Sequence, residues 1–173
     1  MYQTLAKRII AQNPWYTLRQ DDVRLPDGQE TVYNVITKPN AVWIVPLLSD
    51  GQIVLIDQYR YTIDTWCLEI PAGGMLPGDT PEGTAARELG EEIGGTAREL
   101  VLLGTFWTMN GIGDELGYMY LARDVTLGAP QREATEMIRQ RSFPAADAVA
   151  MARAGQVPDA QSALALLLCE PYL

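Results

Sequence analysis

Residues 73–95 read GGMLPGDTPEGTAARELGEEIGG, and this stretch decides how the rest of the chain is read. Thr80 is a helix-capping residue type, Pro81 suits a first helical position, and Glu82 brings an acid to the first turn. Gly94 and Gly95 supply the stop. At about 100° per residue the intervening helix gathers Ala85, Leu89 and Ile93 on one face, with Ala86 at its edge. Glu88, Glu91 and Glu92 fall together on the neighbouring face, because positions three and four apart are neighbours on a helix. Like charges placed so cost about a few tenths of a kcal/mol per pair in water, and more when partly buried. Arg87, four residues before Glu91, relieves part of this. Gly83 and Gly90 lie inside the helix at about 1 kcal/mol each relative to alanine, so helix strength is not what the stretch maximises. A carboxylate cluster beside the flexible PAGG segment (residues 71–74) suits a hard divalent cation, which takes oxygen ligands and keeps room for water and phosphate. A solvated charged face is the plainer alternative.

Working outward, TWCLEIPAGG (residues 65–74) is a short strand ended by Pro71 and a glycine pair. Before it, residues 41–61 place the turn SDG between two apolar runs, and the second run alternates poorly, as a strand covered on both faces does. Earlier still, DDVRLPDGQETVYNVIT (residues 21–37) sets a Pro-Asp-Gly turn between two strand-like runs, a hairpin signal. After the helix, ELVLLGTFW (99–107) and LGYMYLARDV (116–125) read as strands around a polar, glycine-rich loop, TMNGIGDE (108–115). QREATEMIRQRSFP (131–144) reads as a loop running into a strand. Residues 145–155 and 159–170 read as helices, the second capped by Asp159. The expected class is α+β, with strands dominating the middle and helices packed around them.

Composition prunes the chemistry. The 173 residues, 47% hydrophobic and 20% charged, are those of one ordinary globular domain. A net charge of −9 argues against a nucleic-acid partner. No apolar run approaches the roughly 20 residues of a membrane helix, and the N-terminus lacks a secretory apolar stretch, so no membrane association and a cytoplasmic location are expected. Cys67 and Cys169 are expected to be reduced and buried. Histidine is absent, which excludes Ser-His-Asp and Cys-His catalysis and imidazole-bound zinc.

The acidic stretch resembles the signature of the Nudix hydrolases: glycine, five residues, glutamate, seven residues, Arg-Glu-aliphatic, one residue, Glu-Glu, one residue, Gly-aliphatic. Gly73, Arg87, Glu88, Leu89, Glu91, Glu92 and Gly94 match in identity and spacing. Asp79 stands where glutamate is usual, and Gly95 where an aliphatic is usual. The flanks NPW (13–15), LPDG (25–28), QYRY (58–61), LEIPAGG (68–74) and AGQVPDAQSALAL (154–166) are similar to ADP-ribose pyrophosphatases and related nucleoside-diphosphate-sugar hydrolases.

That resemblance implies a Nudix αβα sandwich with a mixed β-sheet over residues 39–173 and a small N-terminal β subdomain over residues 1–38. It implies a homodimer that exchanges its N-terminal strands. The implied cofactor is Mg2+, with Mn2+ possible, held by Glu88, Glu91, Glu92 and the carbonyl of Ala72, while Arg87 orients the glutamates, chiefly Glu91. The implied reaction cleaves the pyrophosphate of a small nucleotide-sugar substrate to a nucleoside monophosphate and a sugar phosphate. Glu136 is the expected water-activating glutamate and Glu133 the second choice, since Met137 and Ile138 fit the start of the following strand. Arg60 is expected on the pyrophosphate, ahead of Arg24 and Arg132, reversing the local sign in an acidic protein. Glu69 and Glu115 are expected to line the cleft, Glu115 as an acceptor for a ribose hydroxyl. Trp15 or Tyr16 would stack on a base, the alternative being a buried core aromatic.

The loop TMNGIG carries Asn110 where the ADP-ribose enzymes have a proline, so a GDP-sugar stays open as substrate. A nucleoside-triphosphate hydrolase and a non-catalytic ligand-sensing domain stay open as well. The long N-terminal segment and LEIPAGG favour the nucleotide-sugar group, and the intact glutamates favour an enzyme over a sensor.

Overall fold

The computed structural model describes residues 1–132 and 137–173, in two compact units: residues 1–40 with 106–117, and residues 41–105 with 118–173.

The first unit is built on a three-stranded antiparallel sheet of β1 (Gln3–Gln12), β2 (Thr17–Arg24) and β3 (Glu30–Thr37), in that order. The expected Pro-Asp-Gly hairpin joins β2 to β3: Gly28 turns at φ +88°, and its N–H donates to Leu25 O at 3.0 Å. No sequence signal marks β1, and every one of its residues is exposed. Residues 106–117 are stitched to the end of β3, with Ile36 N donating to Ile112 O at 2.8 Å and Asp114 N to Ile36 O at 3.3 Å. Arg19 completes this seam by ion pairs to Asp21 at 3.1 Å and Asp114 at 3.2 Å.

The second unit holds the main sheet. Its strands are β4 (Ala41–Leu48), β5 (Gln52–Arg60), β6 (Thr65–Glu69), β7 (Ala72–Gly74), β8 (Gly95–Thr96), β9 (Glu99–Trp107), β10 (Leu116–Leu127) and β11 (Ile138–Pro144), with β9 and β10 reaching across the unit boundary. The order is β11-β5-β4-β10-β8, with β6 added to β5, β7 to β4 and β9 to β10. The helices are α1 (Pro81–Ile93), α2 (Ala145–Arg153) and α3 (Ala160–Cys169). The expected α+β class holds. Residues 53–56 of β5 are consecutively buried, as a strand covered on both faces requires.

The core is where the helix face predicted from sequence meets the sheet. Ala85, Leu89 and Ile93 of α1 pack with Val42 and Ile44 of β4, Val54 and Ile56 of β5, and Tyr120 and Ala122 of β10. Each fully buried Leu or Ile there contributes about 1.5–3 kcal/mol, so α1 is seated by packing despite its internal glycines. On α3, the capping Asp159 accepts from Ser162 N at 2.8 Å and from Ser162 Oγ at 2.6 Å. Ser162 Oγ in turn accepts from Ile70 N at 3.0 Å, tying the β6–β7 link to the helix start. The segment that leads into the acidic helix is therefore anchored to α3.

Candidate active site

Local chemistry positions α1 first. Thr80 Oγ1 accepts from Gly83 N at 3.1 Å, and Gly94 ends the helix in the left-handed region at φ +66° with its N–H on Gly90 O at 3.1 Å. Asp79 holds the preceding turn, accepting from Leu76 N at 3.1 Å and Thr84 Oγ1 at 3.3 Å. Gly95 sits in a tight place: an added Cβ would lie 3.2 Å from Ile93 and Val125 side-chain carbons, which would have to give by a few tenths of an ångström. Tyr120, which carries no local sequence signal, donates to Glu82 Oε1 at 2.8 Å and fastens the first turn of α1 to β10. Burial, with the Glu82 carboxylate beside it, pushes the Tyr120 phenol well up.

The acidic face is then closed by β7. Glu88 and Glu92 are buried at 7% and 2% exposure, whereas Glu91 is half-buried. The Glu88 carboxylate lies directly on the backbone of Gly73, where a Cβ would come within 1.9 Å of Glu88 Oε1. Ala72 N donates to Glu92 Oε2 at 3.2 Å, which pins the start of β7 to the last turn of α1. Arg87 spans the cluster: Nη1 is 2.8 Å from both Glu88 Oε1 and Glu91 Oε2, and Nη2 donates to Gly74 O at 2.8 Å. Burial alone would lower the Arg87 pKa, but the two carboxylates outweigh it and hold the guanidinium charged. Orientation of Glu91 by Arg87 is thus accompanied by an equal hold on Glu88.

The donor chemistry suits a hard divalent cation: the carboxylate oxygens of buried Glu88 and Glu92 and half-buried Glu91, with a glycine that lets one carboxylate sit on the main chain. Among the described residues, no three acidic or thiol side chains already form a metal-holding group, and Arg87 draws the oxygens of Glu88 and Glu91 to itself. A cation would compete with that guanidinium for the same oxygens.

The other sequence candidates divide. Arg60 and Glu69 form a two-point ion pair, Nε to Oε1 at 2.9 Å and Nη2 to Oε2. The hydrogen bonds that Arg60 donates to Glu69 raise the Arg60 pKa, and the charges of Glu92 and Asp159 add to it. Of the acids on α1, Glu92 is the one whose charge acts on Arg60. Glu115 belongs to the first unit and is buried, with Lys38 Nζ 2.7 Å from Oε1 and Thr108 Oγ1 donating to Oε2 at 2.6 Å. Both of its oxygens therefore have protein partners, and they hold the 108–115 loop to the end of β3. Lys38 carries no sequence signal, being a lone lysine before a proline. Trp15 is 73% exposed in the turn before β2, and Tyr16 is also exposed, so the buried-aromatic alternative does not hold. Arg24 is spent on Glu30 at 2.8 Å. Arg132 donates to two backbone carbonyls. Glu136 and Glu133 lie outside the described residues.

The chain is similar to known proteins over most of its length. The NUDIX domain matches residues 37–167, and the nucleoside diphosphate sugar hydrolase N-terminal domain matches residues 2–36. An ADP-ribose pyrophosphatase of Bacillus subtilis is 32% identical over 166 residues, covering 95% of this chain and 90% of its own. A CMP-5'-(N-acetyl-N-hydroxy-3-aminopropyl)phosphonate hydrolase of Streptomyces rubellomurinus is 30% identical, covering 93% of this chain and 78% of its own. The crystal structure of an ADP compounds hydrolase superposes with a TM-score of 0.88 at 24% identity, covering 99% of this chain and 94% of that one.

Proposed function

This chain belongs to the NUDIX family, and from that premise we propose that it is a pyrophosphohydrolase cleaving ADP-ribose or a related nucleoside diphosphate sugar to a nucleoside monophosphate and a sugar phosphate. The observation that carries the reading is the Glu88, Glu91 and Glu92 face of α1, closed by Gly73 and spanned by Arg87. Glu88, Glu91, Glu92 and Ala72 would hold Mg2+, or Mn2+ in its place. When bound, the ion supplies the positive charge that a pyrophosphate needs in a protein of net charge −9. Arg87 keeps the carboxylates in register, and Arg60, clamped by Glu69 yet 41% exposed, meets the phosphates. Glu136, with Glu133 as second choice, takes the proton of the attacking water. Trp15 is exposed and available to stack on a base.

The exposed apolar side chains of β1 fit a homodimer in which residues 1–38 form the exchanged subdomain beside a catalytic domain of residues 39–173. Two buried, unbridged cysteines fit a reducing cytoplasm. Among the described residues, no helix is long and apolar enough to cross a membrane.

The test is a panel of ADP-ribose, ADP-glucose, GDP-mannose, UDP-glucose and nucleoside triphosphates with Mg2+, products identified, on wild type and Glu88→Gln. The expected result is ADP-ribose cleaved to AMP and ribose 5-phosphate, with turnover in Glu88→Gln lower by orders of magnitude and the fold unchanged. Near-normal turnover in that variant would sink the metal-site assignment. A second reading, a different base or sugar, is favoured by Asn110, exposed in the loop at residues 108–115. Preference for GDP-mannose in the panel would establish it.

A further inference from the structure

The C-terminal end of α1 is an awkward place for acids. A helix presents unsatisfied carbonyls and a partial negative charge at this end, so cations belong there and carboxylates do not. Yet α1 has Glu91 and Glu92 in its last turn and no basic residue there. The missing cation comes from elsewhere in the chain. Arg132 Nε donates to Glu92 O at 3.0 Å, and its Nη1 donates to Ile138 O, the first residue of β11, at 2.9 Å. Gln131 N donates to Glu91 O at 2.9 Å, and Gln140 Nε2 reaches Glu92 O at 3.4 Å. Gly128 N closes the same end on Gly94 O at 2.7 Å. The main-chain carbonyls of both terminal glutamates are thus held by residues 131, 132 and 140, and one half-buried guanidinium joins the helix end to the start of β11.

We propose that Arg132 is a positioning residue for the metal-holding carboxylates: its forked donors on Glu92 O and Ile138 O fix the last turn of α1, and hence Glu91 and Glu92, while its charge offsets the acids gathered there. The proposal rests on the reading of this face as the metal site. It differs from the expectation that Arg132 contacts phosphate, since Nε and Nη1 point at backbone carbonyls. Lysine cannot replace the fork, because it offers a point charge where two fixed N–H directions are used.

The experiment measures Mn2+ binding to the substrate-free, full-length protein by electron paramagnetic resonance of free Mn2+. Wild type, Arg132→Ala, Arg132→Lys and Glu88→Gln are compared, alongside steady-state kinetics over a Mg2+ titration. The expected result is a Kd for Mn2+ about tenfold higher in Arg132→Ala, the scale on which groups supporting metal ligands act. Arg132→Lys should recover little of this, added guanidinium should restore part of it in Arg132→Ala, and the KM for ADP-ribose at saturating Mg2+ should stay near wild type. Unchanged Mn2+ affinity in Arg132→Ala, even with lowered thermal stability, overturns the proposal and leaves Arg132 a structural cap. A raised KM with unchanged Mn2+ affinity also overturns it, in favour of substrate contact. Should Arg132→Ala fail to fold, Arg132→Lys decides, and wild-type Mn2+ affinity in that variant overturns the proposal. Equal Mn2+ binding by wild type and Glu88→Gln removes the metal-site reading itself and the proposal with it.

Discussion

A methyl group at residue 73 has nowhere to go, because the Glu88 carboxylate occupies the volume at 1.9 Å from where a Cβ would stand. The contact is with the end of a glutamate, so the side chain would have to swing away, and Gly73 has no positive φ to add backbone strain. Gly73→Ala is therefore expected to displace Glu88 and depress turnover strongly while leaving the fold intact. Circular dichroism with a Mg2+ titration of activity checks this, and wild-type Mg2+ dependence in Gly73→Ala would show that the cradle is immaterial. Arg87 makes the complementary point. One guanidinium, 2.8 Å from two carboxylates, keeps like charges together at the cost of competing with the cation they would bind. Of the two departures from the family signature, Asp79 accepts a turn hydrogen bond from Leu76 N, and Gly95 lies where an added Cβ would fit tightly against Ile93 and Val125.

At the scale of elements, α1 is legible in the sequence because its signals are local. A cap, a proline, an apolar stripe and a terminal glycine each act within a few residues, and all four do in the structure what their chemistry requires. What the stripe does not reveal is how the helix is fastened: Tyr120 reaches Glu82 from 38 residues away. That bond lowers the Glu82 pKa, and burial together with the bond raises that of Tyr120. A carboxylate whose folded pKa is depressed stabilises the protein above its unfolded value, and that contribution is lost as pH falls through the folded one. A phenol whose pKa is raised contributes below its unfolded value and loses the contribution as pH rises beyond it. Tyr120→Phe should therefore flatten part of the loss of stability below about pH 4.5 and part of that above about pH 10. Urea midpoints across pH measure this, and Glu82→Gln should reproduce the acid arm. An acid arm identical in wild type and both variants would mean that the bond adds no stability. The strand β1 is illegible for the opposite reason. Alternation arises when one face is buried, and QTLAKRIIAQ buries neither.

At the scale of the molecule, that uncovered sheet makes a claim about assembly. Leu5, Ile9 and Ile10 on β1 and Val32 and Tyr33 on β3 are exposed apolar side chains on a protein that carries a net charge of −9. Sedimentation equilibrium is expected to give twice the chain mass of 19.1 kDa, and Ile9→Asp to shift it toward the monomer. A wild-type mass of 19.1 kDa at micromolar concentration would remove the dimer from the proposed function.

By itself the sequence determined the α+β class, the hairpins at residues 21–37 and 41–60, the caps of α1 and α3, and the face on which three glutamates gather. Each of these depends on residues within a few positions of one another, where periodicity and turn chemistry act. Only the tertiary structure decided the partners that come from far along the chain. It put Gly73 beneath Glu88, closed Glu115 between Lys38 and Thr108, left Trp15 exposed, and brought Arg132 to the end of α1. Those outcomes depend on strand order and loop closure, which bring residues 40 positions apart, such as Glu92 and Arg132, or 77 apart, such as Lys38 and Glu115, within hydrogen-bond distance, and no local pattern encodes them.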